Sequence, residues 1–175
     1  LWTEPYQRGL EDVASIPSEI VRAIVTNLQP PVGVNHKRVL TPKYTESAEA
    51  YLLYVRGLHV QRNWTQPDLA KSIDYFQRAL ALDPRFAPAL AAMAFSHTML
   101  HSSNSVPACE AFPVGKELAL KAGGLQPDFS SAHSTLALIH WLFDWDWSGA
   151  EREYKRALAL SPGDAAARKG YGMFL

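Results

Sequence analysis

The amino-acid sequence predicts an all-α fold of stacked antiparallel helix pairs, preceded by the remnant of a strand and a helix. From Glu46 onward, nearly every segment places its apolar residues at helical spacing, and no strand pattern occurs after residue 40. A helix-ending motif also recurs: "YFQRALALDP" and "YKRALALSP" are close copies, and "ALKAGGLQP" is a looser one. These copies end at Pro84, Pro162 and Pro127. Self-similarity of this kind indicates a solenoid of repeated helix pairs.

The amino-terminal part of the chain is organised differently from the rest. "LWTEPYQR" has the weak alternation of a strand end, and "IPSEIVRAIVTNL" is an amphipathic helix with Pro17 in its first turn. A proline-rich linker follows. We therefore expect residues 1–29 to be the remnant of an upstream α/β domain, 30–45 to be a linker and 46–175 to form the helical domain.

The first helix pair is the best defined in the sequence. "SAEAYLLYVRGLHVQR" predicts its first helix and "DLAKSIDYFQRALALDP" its second. Thr65 followed by Asp68 is typical of a helix start, and Pro84 is expected to end the second helix.

The later helices are "FAPALAAMAFSHTML", "FPVGKELALKAG", "SSAHSTLALIHWLF", "GAEREYKRALAL" and "AAARKGYGMFL". Each predicted first helix has a small residue near its middle, namely Gly57, Ala94, Ala137 or Gly172. Each second helix has an alanine five residues before its proline: Ala79, Ala122 and Ala157. Aromatic residues precede two of these alanines, at Phe76 and Tyr154. Small residues allow two helices to approach closely, and the aromatic side chains fill the space to the next pair.

At these positions the sequence resembles the tetratricopeptide repeat family, whose unit is 34 residues. The resemblance covers residues 48–175 and implies a superhelix of three repeats plus a half repeat. Pro84 and Pro127 are 43 residues apart, and Pro127 and Pro162 are 35 apart. The extra residues are expected in the hairpin turns, nine of them in "SSNSVPACEAFP" and one in "DWDW".

The "DWDW" segment, residues 144–147, is expected to be the turn of the third helix pair. In this prediction Trp147 is a buried plug, Ser148 and Glu151 form a capping box, and Asp144 and Asp146 accept hydrogen bonds from turn amides. Carbohydrate stacking and a metal–carboxylate site are the alternatives. The second of these lacks further ligands nearby.

The histidines are the other candidates for a metal site. His97 and His101 are one helical turn apart, a spacing that can hold a metal, but no third ligand is evident. His133 and His140 are seven residues apart, and we expect them to pack and form hydrogen bonds within the repeat.

Composition argues against several functional classes. The chain has 17 Lys and Arg against 17 Asp and Glu, so it has no basic surplus for nucleic acid or an anionic membrane. Cys109 is the only cysteine, which excludes a disulfide scaffold and a cysteine-based zinc site. The sequence contains no G-x-S-x-G motif and no phosphate-binding glycine loop. We therefore expect a non-catalytic chain without a cofactor or metal. No apolar run is long enough to span a membrane.

A second resemblance concerns the amino terminus. The pattern "LW.E.Y.R.LEDV..I..EI..AI" is similar to the last strand and helix of the domain related to the amino-terminal domain of TolB. It rests on Trp2, Tyr6, Arg8, Leu10, Asp12, Val13, Glu19, Ile20 and Ile24. That domain precedes repeats of this kind in bacterial adenylate cyclases, winged-helix transcriptional regulators and kinases. This resemblance implies that the chain is a piece of a larger signalling or regulatory protein. Its start without Met and its end within a helical pattern imply the same.

The repeat resemblance implies a protein–protein interaction scaffold that binds a peptide or helix in a concave groove lined by the first helices. The expected groove residues are Tyr51, Tyr54, Leu58, Arg62, Ala91, Phe95, Thr98, Met99, Ser134, Leu138, Trp141, Leu142 and Lys169. This set is largely apolar and lacks the Lys/Asn/Arg set that clamps a C-terminal carboxylate in some relatives. The alternative is a sensory or oligomerisation segment of an adenylate cyclase or regulator. The apolar faces at the two solenoid ends are expected to be covered in one of two ways: the N-terminal helix folds back onto the repeats, or two chains form a homo-oligomer through their open ends. The expected compartment is the cytoplasm, with the periplasm of a membrane-anchored parent as the alternative.

Overall fold

The computed structural model describes residues 44–102 and 106–175, and its helices confirm the predicted all-α fold. The described helices are α1 (Ala48–Gln61), α2 (Gln66–Leu82), α3 (Ala87–Ser102), α4 (Ala108–Leu125), α5 (Ser130–Ile139), a π-helical turn (His140–Asp144), α6 (Trp147–Leu160) and α7 (Ala165–Phe174). No strand occurs in the described ranges. The predicted strand, helix and most of the linker, residues 1–43, lie outside them.

The helices form antiparallel pairs that stack in chain order. The pairs are α1 with α2, α3 with α4 and α5 with α6, while α7 begins a fourth pair. The first helices also contact one another, because α3 packs beside α5 and α5 beside α7. We call the surface made by α1, α3, α5 and α7 the first-helix face.

The ends of α2 follow from its sequence as predicted. The Thr65 hydroxyl accepts a hydrogen bond from the Asp68 amide at 3.3 Å and donates one to the Asp68 carboxylate at 2.7 Å. The helix ends at Leu82, and Asp83 and Pro84 follow. Proline lacks the amide hydrogen that would continue the helical hydrogen bonds, so the chain turns there.

Small residues lie at the contacts between paired helices. A methyl group at Gly57 would overlap the ring of Phe76, which is fully buried. Ala94 and Ala137, the equivalent residues of α3 and α5, are also fully buried. The three alanines of the second helices are buried too: Ala79, Ala122 and Ala157. This pattern agrees with the predicted register of the repeats.

The insertion of the second pair is partly helical, which differs from the expectation of a longer turn. Helix α4 begins at Ala108 and includes Pro113. The ring of Phe112 is buried, stacks on Phe143 with centroids 5.1 Å apart and lies 5.2 Å from His101. The helix thus begins before Phe112, the first residue of the predicted helix, and Phe112 packs between two aromatic neighbours.

The predicted structure of the "DWDW" turn was wrong in its register. The extra residue is accommodated by the π-helical turn, whose hydrogen bonds join residues five apart, whereas those of an α-helix join residues four apart. Trp145 then adopts a left-handed conformation with φ 57°, and α6 begins at Trp147. Trp147 is 50% exposed and its ring lies 5.8 Å from Phe174 of α7, so it is not a plug in its own hairpin.

The cap of α6 is Asp146, so the predicted capping box of Ser148 and Glu151 was also wrong. The Asp146 carboxylate accepts hydrogen bonds from the Gly149 amide at 2.9 Å and the Ser148 hydroxyl at 3.0 Å. These bonds, that of Gly149 first, lower the pKa of Asp146. Asp146 therefore accepts from a backbone amide, as predicted, but the amide belongs to the first turn of α6 and not to the hairpin turn. Asp144 instead pairs with Lys116 at 2.6 Å and with His140 at 2.8 Å.

Replacing Asp146 with Ala is expected to lower the melting temperature more than replacing Ser148 with Ala. Only the first change removes the acceptor for an amide of the first turn. Because the pKa of Asp146 is lowered on folding, its contribution is present above about pH 4, the usual value of a free aspartate, and is lost as pH falls further. Thermal melts of both variants from pH 7 to pH 3 measure this. A larger decrease in melting temperature for Ser148→Ala than for Asp146→Ala would instead support the predicted capping box of Ser148 and Glu151.

Candidate functional site

Four apolar residues of the predicted groove, carried by three of the first helices, pack against the same buried core cluster. Tyr54, Leu58, Phe95 and Leu138 are partly buried against one core cluster, which contains Phe76. They come from α1, α3 and α5, so this apolar surface crosses three helix pairs. Part of each side chain remains accessible to a ligand.

Tyr54 lies among several aromatic rings. Its ring lies 5.0 Å from Phe86 and 6.1 Å from Phe76. Burial raises its pKa well above the usual value for tyrosine, and the neighbouring Tyr44 and Tyr51 raise it further. Tyr51 lies 6.3 Å away, and burial also raises its pKa. Both tyrosines are therefore neutral around pH 7 and present aromatic surface with hydroxyl groups.

The sequence analysis missed Trp64, which contacts two of the predicted groove residues. Trp64 lies in the turn between α1 and α2, has φ 58° and is 54% exposed. Its ring is 5.6 Å from Phe95 in an edge-to-face arrangement, and the Lys169 ammonium lies 5.3 Å from the ring centroid. The second contact is a cation–π interaction. The turn between α1 and α2, helix α3 and helix α7 are therefore in contact at Trp64.

The signal for Trp64 in the sequence is a tryptophan within the polar turn "RNWTQ". Nothing local indicates its contact with Lys169, because that contact depends on how three successive helix pairs are rotated relative to one another.

Three of the predicted groove residues belong to the core instead. Ala91 is fully buried among residues that include Ala122 of α4 and Ala132 of α5. Thr98 is also fully buried, and its hydroxyl donates a hydrogen bond to the Ala94 carbonyl at 2.9 Å. Met99 is a buried member of the core cluster. The prediction that they line an accessible groove was wrong, because α3 is covered by neighbouring helices on more than one side.

The remaining predicted residues are not among those packed against this core cluster. Arg62 is exposed just after α1, and Leu142 is exposed in the π-helical turn. Ser134 is half-buried and donates a hydrogen bond to the Ser131 carbonyl at 3.1 Å. Trp141 is half-buried, with its ring edge-to-face with Phe174 at 6.0 Å.

Acidic residues are distributed unevenly between the two kinds of helix. Helices α3, α5 and α7 contain no Asp or Glu, and Glu49 is the one acidic residue of α1. Each second helix contains two: Asp68 and Asp74 in α2, Glu110 and Glu117 in α4, and Glu151 and Glu153 in α6. With Lys169 and Arg62 on or beside it, the first-helix face is neutral to positive.

His97 and His101, whose spacing could hold a metal although no third ligand was evident, are engaged in packing and hydrogen bonding. His101 Nδ1 lies 3.3 Å from the Val106 carbonyl, and burial lowers the pKa of His97. His133 lies between Glu153 at 2.7 Å and the Pro127 carbonyl at 2.9 Å, as the prediction of hydrogen bonding within the repeat required. Within residues 44–102 and 106–175, no group of three or more His, Cys, Asp or Glu side chains could hold a metal ion.

Comparisons with known proteins support the fold. A solved structure described as the first TPR of Spaghetti (RPAP3) bound to the HSP90 peptide SRMEEVD superposes with a TM-score of 0.57. The two are 18% identical, over 75% of this chain and 94% of that one. The fold is a TPR-like helix-pair repeat. No family model matches the sequence. In the part of the chain that the structure describes, no helix is both long and apolar enough to cross a membrane.

One curated protein has a similar sequence. It is "Putative adenylate cyclase 3" of Rhizobium meliloti (strain 1021), which is 28% identical over 161 residues. The match includes 92% of this chain but 24% of that protein, so the chain spans about a quarter of the length of this relative.

Proposed function

We propose that this chain is a non-catalytic interaction module that binds an amphipathic helix or an apolar peptide on its first-helix face. The observation that carries this proposal is the apolar surface of Tyr54, Leu58, Phe95 and Leu138, extended by the exposed ring of Trp64. Aromatic anchors on a rigid helical scaffold are typical of sites where a few residues provide most of the binding energy. The peptide bound to the structurally similar TPR domain supports the same use of the fold.

The charges of this face indicate which peptides it accepts. Since α3, α5 and α7 lack acidic residues, a peptide with acidic residues beside its apolar side chains meets no like charge from these three helices. Arg62 and Lys169 attract such a peptide from the edges of the face. We therefore propose an apolar helix with acidic flanks as the partner, bound by a scaffold within a larger bacterial signalling or regulatory protein of the cytoplasm.

The test compares apolar anchors with edge charges. Amphipathic helical peptides are selected from a displayed library against the whole chain, and the affinity of the best one is measured by calorimetry. Trp64→Ala and Phe95→Ala are expected to weaken binding about tenfold or more, because buried aromatic anchors dominate such interfaces. Arg62→Glu is expected to weaken it less, mainly through a slower association rate that depends on salt.

Trp64→Ala is the decisive variant, because a half-exposed ring can be removed with little effect on folding. Thermal melts of each variant separate binding loss from unfolding. Equal affinity of the wild type, Trp64→Ala and Phe95→Ala for the selected peptide would overturn the proposal.

A second candidate function follows from the similarity to the Rhizobium meliloti protein. We propose that the alternative is a sensory or oligomerisation segment of an adenylate cyclase, in which the first-helix face binds a second copy of the chain. Light scattering distinguishes the two. The peptide-binding function predicts a monomer, whereas this alternative predicts a dimer that Phe95→Ala converts to a monomer.

A further inference from the structure

The turn that carries Trp64 is tied to α3 by the end of α1. The Gln61 side-chain amide donates hydrogen bonds to the Ala92 carbonyl at 2.8 Å and to the Ser96 hydroxyl at 2.7 Å, and both acceptors belong to α3. The Trp64 amide in turn donates to the Gln61 carbonyl at 3.2 Å. The indole ring is therefore held beside the helix that carries Phe95, and the two rings lie edge to face with centroids 5.6 Å apart.

The backbone of Trp64 also has an unusual conformation for a bulky residue. Its φ of 58° lies in the left-handed region, which such residues rarely adopt. Conformations of this kind persist only where the surrounding structure holds them, and they occur most often at functional sites. Here the result is a ring that stays 54% exposed beside Phe95.

Lys169 reaches this ring from the other end of the stack of helices. Its ammonium lies over the indole, 5.3 Å from the ring centroid, although the two residues belong to the first and the fourth helix pair. Lys169 is exposed, and a lysine side chain has a flexible four-carbon stem. The ring is thus the fixed partner of this contact, and the ammonium is the partner that can leave.

A carboxylate from a bound peptide can draw the ammonium away from the ring. Helix α7 contains no Asp or Glu, and α3 and α5 contain none either. An exposed cation–π contact changes an equilibrium constant by about two- to fivefold. An ion pair with a peptide carboxylate competes well with so weak a contact, because the peptide excludes water from around the pair and so strengthens it.

We infer that Lys169 is a lid on the Trp64 ring, and that a partner opens this lid with an acidic residue placed beside an apolar one. The carboxylate pairs with the Lys169 ammonium, and the apolar side chain takes the place of the ammonium on the ring, next to Phe95. The inference rests on the function proposed above and gives a physical reason for the selection of acidic peptides. A neutral apolar peptide displaces the ammonium without offering it a new partner, so it binds more weakly.

A lid and a simple edge charge predict different effects of Lys169→Ala. The probes are the library-selected peptide, which is expected to contain Asp or Glu, and a neutral copy with Asn or Gln in their place. Calorimetry measures both affinities. The neutral copy is expected to bind Lys169→Ala about two- to fivefold more tightly than the wild type, because the ring is already free. The acidic peptide loses an ion pair but gains the free ring, so its affinity is expected to change by less than about twofold.

Two control variants separate the lid from the loss of a charge. Arg168 is the neighbouring exposed cation of α7, so Arg168→Ala makes the same change in net charge and is expected to leave the affinity of the neutral copy unchanged. In a Trp64→Ala background, Lys169→Ala is also expected to leave that affinity unchanged, because no ring is present for the lid to cover. Alanine is a good helix former and Lys169 is exposed, so folding is retained, and circular dichroism checks this.

The lid is also measured in the free chain, without any peptide. Protons that lie over an aromatic ring resonate upfield of their usual position. The ε-proton signals of Lys169 are therefore expected to lie upfield in nuclear magnetic resonance spectra of the labelled chain, and Trp64→Ala is expected to return them to the usual position of an exposed lysine.

Three results would overturn the inference and leave the proposed function standing. The first is a set of Lys169 signals that Trp64→Ala does not change. The second is a neutral copy that binds the wild type and Lys169→Ala equally, while the acidic peptide binds Lys169→Ala more weakly, because Lys169 would then be only an edge charge. The third is a selected peptide without Asp or Glu. Absence of saturable binding of both peptides to the wild type and to Lys169→Ala would instead overturn the proposed function, and the inference with it.

Discussion

Replacing Phe76 with Ala is expected to lower the free energy of unfolding by about 3–5 kcal/mol, the usual cost of emptying a large buried aromatic site. The Phe76 ring is fully buried, fills the space over Gly57 and lies 6.1 Å from the ring of Tyr54. Its removal leaves a cavity between α1 and α2 that the neighbouring helices cannot close, because their backbones are held by the rest of the pair. Chemical denaturation with urea measures the change.

Leu82→Ala is the matched control for this prediction. Leu82 lies in the same helix but is 46% exposed, so its replacement is expected to cost less than about 1 kcal/mol. Equal costs for the two variants would mean that Phe76 does not hold the first pair together, and the assignment of the repeats would then be wrong.

Replacing Tyr154 with Ala is expected to lower the free energy of unfolding by a similar amount, about 3–5 kcal/mol. Tyr154→Phe is expected to leave the free energy of unfolding unchanged or to raise it. The Tyr154 ring is buried and lies 5.7 Å from Tyr171 and 5.9 Å from Phe174, so it holds α7 against the third pair. Its hydroxyl is buried and has no hydrogen-bond partner among the described residues. A buried hydroxyl without a partner is destabilising, so its removal with the ring kept costs nothing.

The pH dependence of stability provides an independent check on Tyr154. Burial raises its pKa to about 12, whereas a tyrosine in the unfolded chain has a pKa of about 10. Ionisation of this hydroxyl therefore costs more in the folded chain than in the unfolded one, so Tyr154 adds no pH dependence below about pH 10 and lowers the free energy of unfolding as pH rises from 10 to 12. Tyr154→Phe removes this part of the decline, so the wild type should lose more stability than the variant over that range. Parallel curves for the two proteins, or a marked loss of stability in Tyr154→Phe at pH 7, would contradict this account.

The sequence predicted those features of the fold that depend on nearby residues. The cap at Thr65, the end of α2 before Pro84 and the buried alanines Ala79, Ala122 and Ala157 are all confirmed. Each depends on local hydrogen bonding or on a small side chain at a fixed position of the repeat. Such signals lie within one helix or one turn and need no knowledge of the neighbouring pairs.

The features that were predicted wrongly depend on contacts between repeats. The sequence indicated one extra residue near "DWDW". Either a longer turn or a π-helical segment can accommodate this residue, and the choice depends on the packing around Phe143. Phe143 stacks on Phe112 of the preceding pair. The groove residues of α3 were taken from one face of a repeat, although α3 is also covered by α4 and α5, which bury Ala91 and Thr98. The contact of Trp64 with Lys169 depends on the rotation between several pairs, which no single repeat encodes.

The first-helix face is tested most directly by nuclear magnetic resonance of the isotope-labelled chain titrated with the library-selected helical peptide. The account predicts that the indole N–H signal of Trp64 and the amide signals of Phe95 and Leu138 shift saturably with peptide concentration. Amide signals of exposed residues on the second helices, such as Arg78 of α2 and Lys121 of α4, should remain unchanged. Saturable shifts confined to α2 and α4, with Trp64 and Phe95 unaffected, would contradict the account.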